Sequence, residues 1–327
     1  MPTAENAQLE YEGGQAAVAM AALTDAGDLQ TFTSPATLWS GRSGFAPIVR
    51  PDGVLTGGLV TIAISGTNDL IDVAALTCNL AGIVTTVAAD ADVSCTRPAT
   101  AVSKVNSITI DNAGAVAVVV GTDGSTTAFS ETRAAAGGPP LIPTDSIEIA
   151  QVRFTSDTAA AVVESEVLQV IGLHRENATF PQYEVDDAAG EIMFLSALSA
   201  IHTGPVGKQV YASYATPIFA EVALADQFVP PETTHSVSST QIYNTTLGSS
   251  SSTLNQGTFV AYLQDGVTDN LIVLKDEKLW FRFHPNRYNT GHILCKGKLG
   301  IGRVFPADDN MLANCTISAE SAAIEEG

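Results

Sequence analysis

A mainly β protein is predicted, on three observations. Short stretches in which apolar and polar residues alternate, or in which β-branched residues cluster, recur through most of the chain. Gly, Pro, Asn and Asp punctuate them at close intervals. Helical period appears only in two fragments, 24–29 and 191–202, each long enough for a turn or two. At 327 residues the chain is long enough to bury a substantial core, and with 45% hydrophobic and 15% charged residues it is not a disordered polymer. Its formal charge of −20 argues against a nucleic-acid binder, because phosphate affinity comes from clustered cations.

Along the chain, 1–51 reads as an N-terminal arm and the start of a main domain. The apolar run 16–23 follows Glu5, Glu10 and Glu12, where a secretory signal would carry positive charge, so no signal peptide is expected. An Ala-, Val- and Thr-rich segment at 52–172 has thirteen acidic and four basic residues, and reads as an accessory β domain. Strands are expected within it at 59–65, 107–111, 115–121, 146–156 and 167–173. The run 70–89 has the length of a membrane span but contains Asp72, Asn79 and Gly82, so a buried pair of strands is expected, with no membrane partner. Around Gly137-Gly138-Pro139-Pro140 a loop is expected.

The remainder, 173–327, reads as the main β domain, with strands at 209–219, 258–264, 270–284, 292–305 and 315–323. Within it, 230–257 contains Pro230-Pro231, many Ser and Thr, and no Lys or Arg. This is expected to be a long loop or extended arm with a task. From 270 to 303 the balance reverses: Lys275, Lys278, Arg282, Arg287, Lys296, Lys298 and Arg303 face only Asp276 and Glu277. Alternation over Leu279-Trp280-Phe281-Arg282-Phe283-His284 places Trp280, Arg282 and His284 on one face of a strand. Lys275, Lys278, Trp280, Arg282, Arg287, Lys296, Lys298 and Arg303 are the candidate inter-subunit contacts. An ordinary solvated hairpin is the other reading of the same residues.

Chemical sites find little support. His284, His292 and Cys295 lack a fourth ligand for zinc, and Asp308, Asp309 and Asn310 make an isolated turn too poor in oxygens for calcium. Glu184, Asp186, Asp187 and Glu191 flank a turn with its acids outward. Gly41-Arg42-Ser43-Gly44 has the wrong spacing for a nucleophile elbow. Gly297, Gly300 and Gly302 lie in strand-like sequence without the helix of a phosphate cradle. The histidines His174, His202, His235, His284 and His292 pair with no carboxylate by spacing. Neither an enzyme nor a cofactor is expected. Cys78, Cys95, Cys295 and Cys315 read as buried free thiols, with a Cys78–Cys95 bridge left open.

Two stretches carry a resemblance. Leu279-Trp280-Phe281-Arg282-Phe283-His284-Pro285-Asn286-Arg287, Ile293-Leu294-Cys295-Lys296-Gly297 and Asn314-Cys315-Thr316-Ile317-Ser318-Ala319-Glu320-Ser321 resemble major tail proteins of long-tailed bacteriophages. Thr122-Asp123-Gly124 followed by Ile149-Ala150-Gln151-Val152 is similar to accessory β domains of phage tail and baseplate proteins. The resemblance implies a tail-tube-like β-sandwich that contributes to a multi-subunit β-barrel. It further implies six-membered rings stacked into a tube for DNA, with tape measure and tail-tip or terminator proteins as partners. It places the protein in the virion, in a tail assembled in the bacterial cytoplasm. On this view 1–45 and the arm 230–257 order on assembly by pairing with a neighbour's sheet edge. The alternative is a tail-fibre, baseplate or decoration protein binding a host surface or capsid, with Trp39 or Trp280 lining a glycan site. A polysaccharide hydrolase is a third reading, for which the sequence singles out no carboxylate pair.

Overall fold

The computed structural model describes residues 6–170, 176–204 and 207–327. His174 lies outside them. Half of the residues are strand and 3% helix, arranged in several antiparallel sheets, so the mainly β expectation holds. The chain divides into two compact units, each gathered from separate stretches.

The smaller unit comprises the residues up to Ala17, Leu38–Ala46 and Tyr214–Gly327. Its antiparallel sheet runs in the order Ala225–Val229, Gly257–Tyr262, Leu312–Ala319, His292–Val304, Lys278–His284, then the part of strand Gln8–Ala22 up to Ala17 and the part of strand Val210–Glu221 from Tyr214 on, with Ile324–Glu326 paired to the start of His292–Val304. Leu312–Ala319 alternates strictly, burying Ala313, Cys315, Ile317 and Ala319. That period of two sends one face into a core with Leu279, Phe281, Phe259 and Leu299. Gly297 sits where His292–Val304 crosses this core. A Cβ there would lie 2.6 Å from Ile317 Cγ2 and 2.9 Å from the Ser318 backbone, so the glycine permits close approach of the strands.

The larger unit comprises Val18–Thr37 and Pro47–Ser213, and it contains the whole of 52–172. Lys104–Ile110, buried at all seven positions, is central to the sheet Val116–Val120, Lys104–Ile110, Ile147–Phe154 and Val167–Gln169. Three-stranded sheets add Val60–Ile62, Leu70–Val73 and Asp90–Ser94, and Gly53–Gly57, Leu76–Leu80 and Ile83–Val87. The run 70–89 is therefore three short strands rather than a pair. Its Asp72 carboxylate accepts the backbone N–H groups of Ile64 and Asp92 (2.9 and 3.0 Å), which explains an acid in an apolar run. Among the described residues no helix is long and apolar enough to cross a membrane.

Neither helical fragment forms. Glu191–Phe194 is a strand whose Ile192 and Phe194 turn inward, a period of two that a short window can mistake for helix. Over 24–29, the Asp25 and Asp28 carboxylates capture the N–H groups of Gly27, Leu29, Gln30 and Thr31, holding turns that compete with a helix. The expected strand 270–284 also divides: Asn270–Val273 is a helical turn, Asp276 takes a φ of 68°, and the strand begins at Lys278.

Candidate assembly surface

The segment 230–257 is a β-hairpin rather than a loop. Thr233–Ile242 and Thr245–Leu254 pair over ten residues each, joined at Tyr243 and at Asn244, whose φ of 65° suits an Asn. Every residue of both strands is exposed except Leu254, which is intermediate. Hydroxyl pairs Ser236–Ser251 and Ser238–Ser249 (2.7 Å each) stitch one face. At the base, Asn255 N–H donates to the Glu232 carbonyl (2.9 Å), and Gly257 makes room for Pro231 Cδ, which a Cβ would approach to 3.0 Å.

This hairpin carries none of the usual guards of free strand edges. From 233 to 257 there is no Asp, Glu, Lys or Arg and no Pro, whereas exposed edges are normally blunted by charge, proline or bulges. The outer strand Ala225–Val229 illustrates the guarded case, with a register shift between Asp226 and Val229 and a φ of 54° at Gln227. A two-stranded ribbon with no packed face is marginally stable alone.

The cationic residues do not form one outward patch. Trp280 is corrected from a contact to a core residue: it is 3% exposed, and its Nε1 donates to the Trp39 carbonyl (2.7 Å). Trp39 is equally buried and stacks on Tyr214 with ring centroids 4.5 Å apart, so neither tryptophan offers a glycan platform. Alternation failed at Trp280 because the strand is covered on both sides there. Arg282 turns to Glu10 (2.6 Å) and lies 4.2 Å over the Phe219 ring. Lys278 meets Glu320 at 2.6 Å, Lys296 lies 5.1 Å over the Trp280 ring, and Arg303 donates to the Gly266 carbonyl (2.8 Å). Lys275, Arg287 and Lys298 are exposed, and Lys298 sits opposite Lys278 in register.

The N-terminal segment also differs from a free arm. Leu9, Glu10 and Tyr11 pair with Phe283, Arg282 and Phe281 within the chain. Glu12, 0% exposed, was not distinguishable by pattern from Glu10, which is only partly buried. It accepts from the Ser40 hydroxyl, from Gln15 Nε2 (2.8 Å) and from the Trp280 N–H (3.2 Å).

Among the described residues no group of three or more His, Cys, Asp or Glu is disposed to hold a metal. His284 and His292 lie with ring centroids 5.2 Å apart, but burial pushes the Cys295 thiol up to about 12, which disfavours the thiolate a metal needs. All four cysteines are buried and free. Glu184, Asp186, Asp187 and Glu191 do flank a turn, where Asp186 accepts the N–H groups of Ala188 and Ala189. Gly297, Gly300 and Gly302 lie inside His292–Val304 and offer no helix end to an anion. No known family model matches the chain, and no curated protein is similar to it.

Proposed function

We propose that this protein is a non-enzymatic structural subunit of a phage tail tube, a β-sandwich contributing to a multi-subunit barrel in stacked, six-membered rings. The observation that carries this reading is the long, uncharged hairpin Thr233–Leu254, exposed at every strand position but Leu254. Its unguarded edges and lack of a packed face suit a strand pair that is completed by another copy. A net charge of −20 suits a conduit, because an anionic wall repels DNA and lets it slide. The resemblance noted above supplies the ring number, the place in the virion, and the tape measure and tail-tip or terminator proteins as partners.

The test is sedimentation of the full chain against a variant in which Thr233–Leu254 is replaced by a two-residue turn. The full chain is expected as rings or tubes, and the variant as a folded monomer that keeps a β-type far-ultraviolet spectrum and a cooperative denaturation. Equal assembly by both would remove the hairpin from the account. A full chain that stays monomeric at high concentration, even with a tail initiator, would favour the adhesion or decoration reading.

A further inference from the structure

Buried charge with incomplete hydrogen bonding is concentrated in the larger unit. Asp52, His202 and Lys208 are each 1% exposed. Asp52 Oδ2, His202 Nδ1 and Lys208 Nζ each lack a hydrogen-bond partner, which burial of such atoms ordinarily requires. Lys208 interacts electrostatically with both of the others. The bonds Asp52 does make join three segments. Its N–H donates to the Gln209 carbonyl (3.0 Å), beside the pairing of Ile48–Pro51 with Val210–Ser213, and its Oδ1 accepts from the Ala81 N–H (2.9 Å) in the turn after Leu76–Leu80.

We propose that Asp52 and Lys208 form a proton-operated lock on the larger unit, closed when either group is neutral and loosened when both are ionised. Burial, with a smaller push from Asp145, raises the Asp52 carboxyl to about 7, against the opposing Ala81 N–H and Lys208. Burial lowers the Lys208 ammonium to about 8, with Asp52 pulling the other way. The stabilisation due to Asp52 is complete below its ordinary value of 3.8 and is lost as pH rises through about 7. That due to Lys208 is complete above 10.5 and is lost as pH falls through about 8. Both are missing between those two values.

Among the surrounding groups His202 also acts near neutrality, with the opposite sign to Asp52: its stabilisation is complete above 6.5 and is lost as pH falls. His202 is held below the usual imidazole range by burial and then by Lys208, against its hydrogen bond to the Ser146 carbonyl. Asp145 accepts from the Tyr211 hydroxyl (3.3 Å), and burial followed by Asp52 and Asp145 raises that phenol to about 12. The Cys78 thiol is raised to about 11 by burial and then Asp52. Arg133 is paired with Glu148, and Arg50 donates to the Gly82 carbonyl (2.8 Å).

Hydrogen exchange at the Asp52 and Ala81 amides, corrected for intrinsic rates, tests the lock in the full-length protein between pH 5 and pH 8. Protection is expected to fall about tenfold or more across this range in the wild type and not to fall in Asp52→Asn, where the remaining His202 contribution acts only to raise it. Level protection in the wild type, or an equal fall in the variant, overturns the proposal. Should the variant not fold, the carboxyl-carbon resonance of Asp52 in labelled wild-type protein decides: a midpoint near 7 supports the lock, and one near 4 overturns it.

Discussion

Glu12 shows how a charged side chain becomes part of a core. Its oxygens receive a hydroxyl, a side-chain amide and a backbone amide, and the Trp280 ring beside it is fixed by the Trp39 carbonyl. Glu12→Ala removes the acceptor and leaves the buried Trp280 N–H without one, so it is expected to cost about 2–4 kcal/mol in urea denaturation. Trp280→Phe keeps most of the apolar contact and loses the Nε1 bond, and about 1–2 kcal/mol is expected. A loss no larger than that of an exposed control such as Lys298→Ala would contradict both assignments. Burial of this kind was not legible in the sequence. Glu12, Asp52, His202 and Lys208 look like surface residues by type, and only tertiary contacts reveal that water has been taken from them.

At the scale of elements, the glycines of His292–Val304 separate packing from mere presence in a strand. Gly297→Ala would press a methyl against Ile317 and the Ser318 backbone, and a loss of about 1–3 kcal/mol is expected in the same denaturation assay. Gly302→Ala meets nothing nearer than the Asn314 carbonyl oxygen at 3.7 Å and is expected to stay within about 0.5 kcal/mol of wild type. Similar losses for the two would argue against close strand approach at Gly297. Strands with a regular inward face, such as Leu312–Ala319, were readable from alternation. The hairpin Thr233–Leu254 was read as a loop or arm because neither face is buried, so no apolar period marks it. The fragment 191–202 was misread as helix: only Glu191–Phe194 within it is regular, and four residues hold too few turns of either period to separate strand from helix.

For the whole molecule, charge and edges pull in opposite directions. Each copy carries −20, and several cations that were candidates for binding a neighbour are engaged within the chain. Mutual repulsion therefore outweighs charge pairing between copies, and assembly is expected to strengthen as salt rises from about 20 to 200 mM and the screening length shortens. Light scattering reads this directly, and weakening with salt would restore charge complementarity as the driving contact. The β class and many strands could be read from one sequence because local alternation encodes them, whereas a tube depends on contacts with copies that a single chain does not contain. Cryo-electron microscopy of the purified full-length protein tests the tube directly. Stacked rings with an open, acid-lined bore and each Thr233–Leu254 hairpin seated on another copy are the predicted image; solitary particles, or a bore lined by lysine and arginine, would contradict it.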